Sequence, residues 1–246
     1  MCFTGNYLEH GIIKLHGFAS DFVICDSRFI VKVPEELKKT AVLLEPLSFV
    51  EKTISQIFQI QKRLMWKPKR AFVLGAGPLG LLVSILLRLR GIEVYCMATQ
   101  PKNSLKASIN QSIGGSYFNA NENPLQTFPR IFDIVIEATG NVNVAISALS
   151  LLNSDGILCF LGVYRDKKAC QDFGRVLTSM VLGNRVIFGS VSSDKIRFKM
   201  GLNDMFMIKS VYGNVMEQMI TQKLPIRDFS KAFSRQKTDI KSVIYF

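Results

Sequence analysis

The sequence has only two histidines, His10 and His16, and its five cysteines, Cys2, Cys25, Cys96, Cys159 and Cys170, are scattered without a C-x-x-C pair. That spread argues against a disulfide framework and offers no complete metal site by spacing. Cys96 and Cys159 stand inside strand-like apolar runs and read as buried thiols. Long apolar runs are missing as well. Those present, such as Leu79 to Leu87, fall short of the roughly 20 residues that a membrane helix needs, so no membrane partner is expected. The opening Met-Cys-Phe-Thr-Gly-Asn lacks the basic-then-apolar order of a signal peptide. The cytoplasm is therefore the expected compartment.

Acidic residues are few against 31 lysines and arginines, leaving a formal net charge of +12. The excess is spread along the chain, densest at Lys62-Arg63 and Lys67-Pro-Lys-Arg70. No basic stripe is interleaved with aromatics, and no nucleic-acid motif is present, so no nucleic-acid partner is expected. A positive field that attracts an anionic cofactor accounts for the charge equally well. With 48% hydrophobic and 20% charged residues in 246, the chain is a globular one, long enough to bury a substantial core.

What is present centres on Ala71-Phe-Val-Leu-Gly-Ala-Gly-Pro-Leu-Gly80, running on into an apolar helix to Arg88. Gly75, Gly77 and Gly80 hold the G-x-G-x-x-G spacing of a dinucleotide-binding turn. The first permits a tight turn, the second lets backbone approach a pyrophosphate, and the third lets helix pack on strand. Pro78 and Leu79 open the helix, whose free N–H groups and positive dipole end favour an anion. Strand-like runs at 71–75, 92–97, 117–118, 132–137, 156–161 and 186–191 alternate with helical stretches at 79–90, 102–112, 143–152 and 172–182. This order predicts an α/β fold with a six-stranded, doubly wound parallel sheet over residues 46–190.

The flanks differ. Residues 17–25 and 29–33 predict short strands, and the three-to-four spacing of apolar residues over 35–61 predicts a helix. Beyond 195 a long helical stretch carries Phe198, Leu202, Phe206, Val215 and Met219, and the chain closes on a strand at 241–246. That last strand has no evident place in the nucleotide sheet and is expected to pair with the N-terminal strands. Edges of such an incomplete sheet invite pairing, with a second copy or with another chain.

After the glycines, an acid about twenty positions on would bind a ribose 2′-hydroxyl and repel a 2′-phosphate. The segment Met97-Ala-Thr-Gln-Pro-Lys-Asn-Ser104 contains none. Thr99, Gln100 and Lys102 favour NADP, with NAD remaining open. Thr139, Gly140, Leu161 and Val163 close the fourth and fifth strands at the carboxyl edge, where open α/β sheets bind ligands. Glu137 and Asp133 read as structural.

The same order, with Thr4-Gly-Asn-Tyr-Leu-Glu-His-Gly-Ile12, Leu44-Glu-Pro-Leu-Ser48, Leu74-Gly-Ala-Gly-Pro-Leu-Gly80, Asp133-Ile-Val-Ile-Glu-Ala-Thr-Gly140 and Ile240-Lys-Ser-Val-Ile244, resembles the archaeal glucose (aldose) dehydrogenases of the medium-chain dehydrogenase/reductase superfamily. The resemblance implies a Rossmann domain at 46–190, beside an incomplete GroES-like catalytic domain formed from residues 1–45 and 191–246. It further implies hydride transfer from a sugar C1 hydroxyl to the nicotinamide of NAD(P), with catalytic zinc. Family members are longer, and the part without a counterpart here carries the cysteine and histidine zinc ligands. Cys2 matches the last cysteine of the family's structural zinc lobe.

By the same resemblance Glu45 matches a carboxylate near the catalytic metal. As a residue before Pro46 it reads equally as a helix-start acid. Glu9 matches a carboxylate that binds sugar hydroxyls, and otherwise reads as a solvated loop acid. Ser192 stands where the family commonly has an asparagine touching sugar and nicotinamide, and being shorter it lacks the amide donor. The backbones of Leu161 and Val163 are expected along the nicotinamide. The chain is thus expected to bind the cofactor, with zinc doubtful, either as the cofactor portion of an aldose dehydrogenase or as a non-catalytic NADP-binding protein. As one half of a split dehydrogenase it would need a zinc-domain partner chain, and a homo-oligomer is a further expected partner.

Overall fold

The computed structural model describes residues 4–165, 172–234 and 236–246. Near the start, only two-residue strands form, β1 (Glu9–His10) and β2 (Lys14–Leu15). The strands expected at 17–25 and 29–33 are absent. Alternation stabilises a strand only where a ladder partner and a packing face exist, and here Phe22 is 93% and Ile24 100% exposed. The helix expected over 35–61 divides into a 3-10 stretch, Glu35–Leu43, and α1 (Leu44–Gln61).

The sheet then builds as β3 (Arg70–Leu74), α2 (Pro78–Leu89), β4 (Glu93–Ala98), α3 (Leu105–Ser112), β5 (Ser116–Asn119), β6 (Phe132–Glu137), α4 (Val142–Ala148), β7 (Leu152–Phe160), α5 (Phe173–Leu182) and β8 (Val186–Gly189). All six strands are parallel, in the order β5-β4-β3-β6-β7-β8. This is the expected doubly wound Rossmann sheet, and the order reverses between β3 and β6.

Both faces are covered, which is why the strands read as continuous apolar runs. Along β3, Ala71 and Val73 face a core shared with α1 and α2, including Leu47, Val50, Ile54 and Leu82. Phe72 and Leu74 point the other way, into a second core with Phe132, Leu151 and Leu158. Helix α2 has no polar face: Gly80 through Leu87 are all buried, because α1 and the sheet enclose it.

The helix expected at 143–152 ends earlier. Residues 149–151 form a 3-10 turn and β7 begins at Leu152, with Asp155 at φ +59° where the register with β6 shifts. The long C-terminal helical stretch also breaks. It becomes α6 (Lys195–Tyr212), stopped by Gly213 at φ +63°, then α7 (Val215–Gln218) and β9 (Ile220–Pro225). The closing strand, β10 (Lys241–Tyr245), pairs in parallel with β9 and not with the N-terminal strands. Gly201 lets α6 lie close on α1, since a Cβ there would meet Leu44 Cδ1 at 3.1 Å. Between α1, α2 and α6, Arg90 bonds the buried Glu51 and lies 3.6 Å from Asp204.

Candidate active site

The glycine turn joins β3 to α2 at the reversal point of the sheet. Gly75 sits at φ +108°, and its N–H donates to the Met97 carbonyl at 2.8 Å. A Cβ on Gly75 would meet Thr139 Cγ2 at 3.1 Å and the Ala138 backbone at 3.2 Å, so the ends of β3 and β6 are in contact through it. A Cβ on Gly80 would fall 1.8 Å from the Gly75 carbonyl oxygen. Gly77 differs, because a Cβ there would meet nothing within 4 Å. It caps α2 without a side-chain bond, and Pro78 fills the first helical position, where no donor is lost. Backbone N–H groups at a helix start thus face open space that a phosphate can enter.

A cleft of about 720 Å³ opens there. Gly75, Gly77, Pro78 and Leu79 form one wall, Thr99 and Gln100 another, and Thr139 a third. Gly80 lies behind them, buried against the turn. Lys102, singled out as a phosphate partner, is exposed and does not line this cleft, whereas Lys106 does. Ser104 caps α3 by accepting from the Ala107 N–H at 3.3 Å. Lys102 is thereby left in the preceding turn, and Lys106 falls one helical turn further on. Lys106 is 7% exposed and donates to the Lys237 carbonyl at 2.7 Å. Its four-residue spacing from Lys102 was the only sequence signal for it. The far wall, with Leu125, Asn143 and Val144, carried no signal, since it joins a loop to α4.

A second cleft, of about 580 Å³, brings together residues far apart in sequence: Glu9, Glu45, Leu161, Val163 and Ser192 all line it. Lys52 Nζ donates to the Val191 carbonyl, and Thr53 Oγ1 meets Ser190 Oγ at 3.0 Å, so α1 holds the segment leading to Ser192. Ser192 adopts φ +63°. Gly140, at φ +66°, stands between the two clefts, where a Cβ would come 3.1 Å from the Val163 carbonyl.

Beneath that junction Glu137 is fully buried. It accepts from the Thr139 N–H at 2.7 Å, and also from the Thr139 and Tyr164 hydroxyls. Burial, then the hydrogen bond to Glu137 and its charge, pushes the Tyr164 phenol well above its usual pKa, so it stays a donor. Asp133 accepts from the Lys69 and Arg70 N–H groups at 2.7 and 3.1 Å, tying down the entry to β3.

Zinc prefers three or four protein ligands. The described residues place no group of three His, Cys, Asp or Glu where a metal could be held. His10 Nδ1 meets the His16 carbonyl at 2.8 Å, and its ring packs on Phe18 at 4.4 Å. Burial pushes the Cys96 thiol up to about 12 and raises that of Cys159, so neither is poised as a thiolate. Cys2 lies outside the described residues. The residues that are described therefore do not fit a zinc site. No helix among them is long and apolar enough to cross a membrane.

A family model described as glucose dehydrogenase C-terminus matches residues 38–246. Glucose 1-dehydrogenase 1 of Caldivirga maquilingensis is 40% identical over 244 residues, which cover 99% of this chain and 69% of that protein. Glucose 1-dehydrogenase of Methanocella arvoryzae is 37% identical over 250 residues, with 99% and 69% covered. Among solved structures, Haloferax mediterranei glucose dehydrogenase in complex with NADP, Zn and gluconolactone superposes with a TM-score of 0.92 at 29% identity, covering 100% of this chain and 70% of that one.

Proposed function

The chain belongs to the glucose 1-dehydrogenase family, and we propose that it acts as the NAD(P)-binding portion of an aldose dehydrogenase. The observation that carries this reading is the cleft at the β3/β6 reversal, with Gly77 facing open space at an uncapped helix start. A bound nicotinamide accepts hydride. The chain's own residues bind and orient: the backbones of Gly77 and Leu79 take the pyrophosphate, and Thr99 and Gln100 take the adenosine ribose. Lys106, in place of Lys102, supplies the positive charge that favours a 2′-phosphate. Thr139, Gly140, Leu161 and Val163 present backbone along the nicotinamide half, where the two clefts meet. In this reading residues 46–190 form the cofactor domain, and residues 1–45 with 191–246 belong to the substrate side.

Sugar recognition falls to the second cleft. Glu9 can accept from two vicinal hydroxyls, and a carboxylate left unpaired by the wrong sugar is costly. Ser192 lines the same cleft. Glu45 is the carboxylate matched to the family's metal side, and the described residues bring no group of three ligands to it that would hold zinc. No step is therefore assigned to zinc on this chain. The exposed Phe22, Ile24 and Phe29 favour a related reading, in which a zinc-bearing partner chain covers this side and completes a split dehydrogenase.

Calorimetric titration of the folded chain with NADPH, and with NADH for comparison, tests the proposal. Saturable binding with NADPH preferred is expected. A folded, monodisperse sample that binds neither dinucleotide would overturn it.

A further inference from the structure

On the side of α4 away from the glycine turn lies another cleft, of about 530 Å³, between α4, α5 and the loop before β6. Arg130, Arg175 and Arg185 line it, and no carboxylate does among the described residues. Arg185 is held in place: Nε donates to the Asn153 carbonyl at 3.1 Å and Nη1 to the Ser179 carbonyl at 3.0 Å. Among the described residues nothing accepts from its Nη2. Burial, then the neighbouring Arg130 charge, pulls the Arg185 guanidinium below its usual pKa, and neither arginine forms an ion pair with a described acid. Arg130 and Arg175 are exposed, and Arg175 likewise forms no ion pair with a described acid.

Three arginines lining one cleft repel one another unless an anion lies between them. Their planar forks match phosphate oxygens two at a time. The volume exceeds what a bare phosphate fills, and Ile146 and Leu149 supply an apolar wall for an organic body. We propose that this cleft is a binding site for phosphate monoesters of small metabolites, separate from the dinucleotide cleft. Gln126 and Ser147 line both clefts, so a test must tell one from the other.

Calorimetric titration with glycerol 3-phosphate does so, with glycerol and inorganic phosphate as comparisons. The ester is expected to bind, glycerol not to bind, and inorganic phosphate to bind more weakly. Arg130→Gln with Arg175→Gln should weaken ester binding by about ten-fold or more and leave thermal unfolding unchanged, since both side chains are exposed. Arg175→Lys, which keeps the charge and loses the fork, should bind with intermediate affinity. Gly77→Ala should bind the ester like the parent. No ester binding, equal binding by the double variant, or loss in Gly77→Ala alone would overturn the proposal. Inorganic phosphate binding as tightly as the ester would overturn the ester assignment.

Discussion

Gly77 and Gly80 are three residues apart on the same turn, yet a methyl group added to each should have opposite consequences. At Gly80 the new carbon falls 1.8 Å from the Gly75 carbonyl oxygen and 2.9 Å from its carbon. Neither atom can rotate aside. The Gly75 backbone is held by its N–H bond to Met97 and by contact with Ala138, at a φ of +108°. Relief requires α2 to move off the sheet, opening a core that contains Leu81, Leu82 and Ile85. Overpacking of this kind costs about 1–3 kcal/mol or more, against roughly 1 kcal/mol returned by alanine's helix propensity. Because the clash is with fixed backbone, the upper end of that cost applies, and the net loss of about 2 kcal/mol lowers Tm by roughly 4–8 °C in a chain of this size. At Gly77 nothing lies within 4 Å, and φ −77° with ψ −177° suits alanine. That variant should unfold like the parent and lose NADPH affinity by about ten-fold or more, because its methyl stands where the pyrophosphate approaches. Thermal unfolding and NADPH calorimetry on both variants check the reasoning. A Gly80→Ala chain as stable as the parent, or a Gly77→Ala chain that binds NADPH as the parent does, would refute it.

Lys106→Ala should reduce the preference for NADPH over NADH, whereas Lys102→Ala should leave the ratio of dissociation constants unchanged; the reverse pattern would return the role to Lys102. Tyr164→Phe removes a donor from the buried Glu137 and should destabilise by about 1.5–3 kcal/mol, read from the denaturant midpoint, with an unchanged midpoint counting against the network. Asp204 is pushed up to about 7, first by burial and then by Glu51, with Arg90 opposing. The folded chain therefore keeps a proton that the unfolded chain releases near the ordinary carboxylate value of 3.8. Stability from this group is present below about pH 4 and declines as pH rises toward 7. Comparing urea midpoints of the parent and Asp204→Asn between pH 5 and 8 checks the sign, since the substituted chain should lose that slope.

The sheet was legible because both of its faces are buried. Val73, Val135 and Leu158 each have apolar neighbours on both sides, and such consecutive apolar positions announce parallel strands between helices. The flanks were not legible, for a different reason at each end. Phe22 and Ile24 alternate as a strand would, but pairing depends on a neighbour that the sequence pattern cannot supply. Residues 220–225 read as more helix because Gly213, the helix stop, precedes a further short turn of helix before the chain extends. The closing strand therefore has its partner in β9, inside that stretch, and not at the N-terminal end where the pattern points.

The site was legible in proportion to how far its residues act through backbone. Gly75, Gly77 and Gly80 are recognisable because each has a separate reason to lack a side chain: neighbouring atoms close off the first and third, and the second leaves room for a ligand. Lys106 was missed because its place in the cleft depends on where α3 begins, which the Ser104 cap decides. Glu137 shows the same limit from the other side. Its sequence position, two residues before Thr139, gives no hint that it also receives the Tyr164 hydroxyl from the segment after β7. That one carboxylate joins the segment ending β6, which lines the dinucleotide cleft, to the segment ending β7, which lines the cleft of Glu9 and Ser192. Gly140 and Gly162 pack directly above it, where a Cβ on Gly162 would come within 2.6 Å of Gly140 and 2.8 Å of Glu137 Oε2. The two clefts therefore share a floor in which neither segment can shift without stranding a buried charge, and such an arrangement keeps cofactor and substrate walls in fixed register.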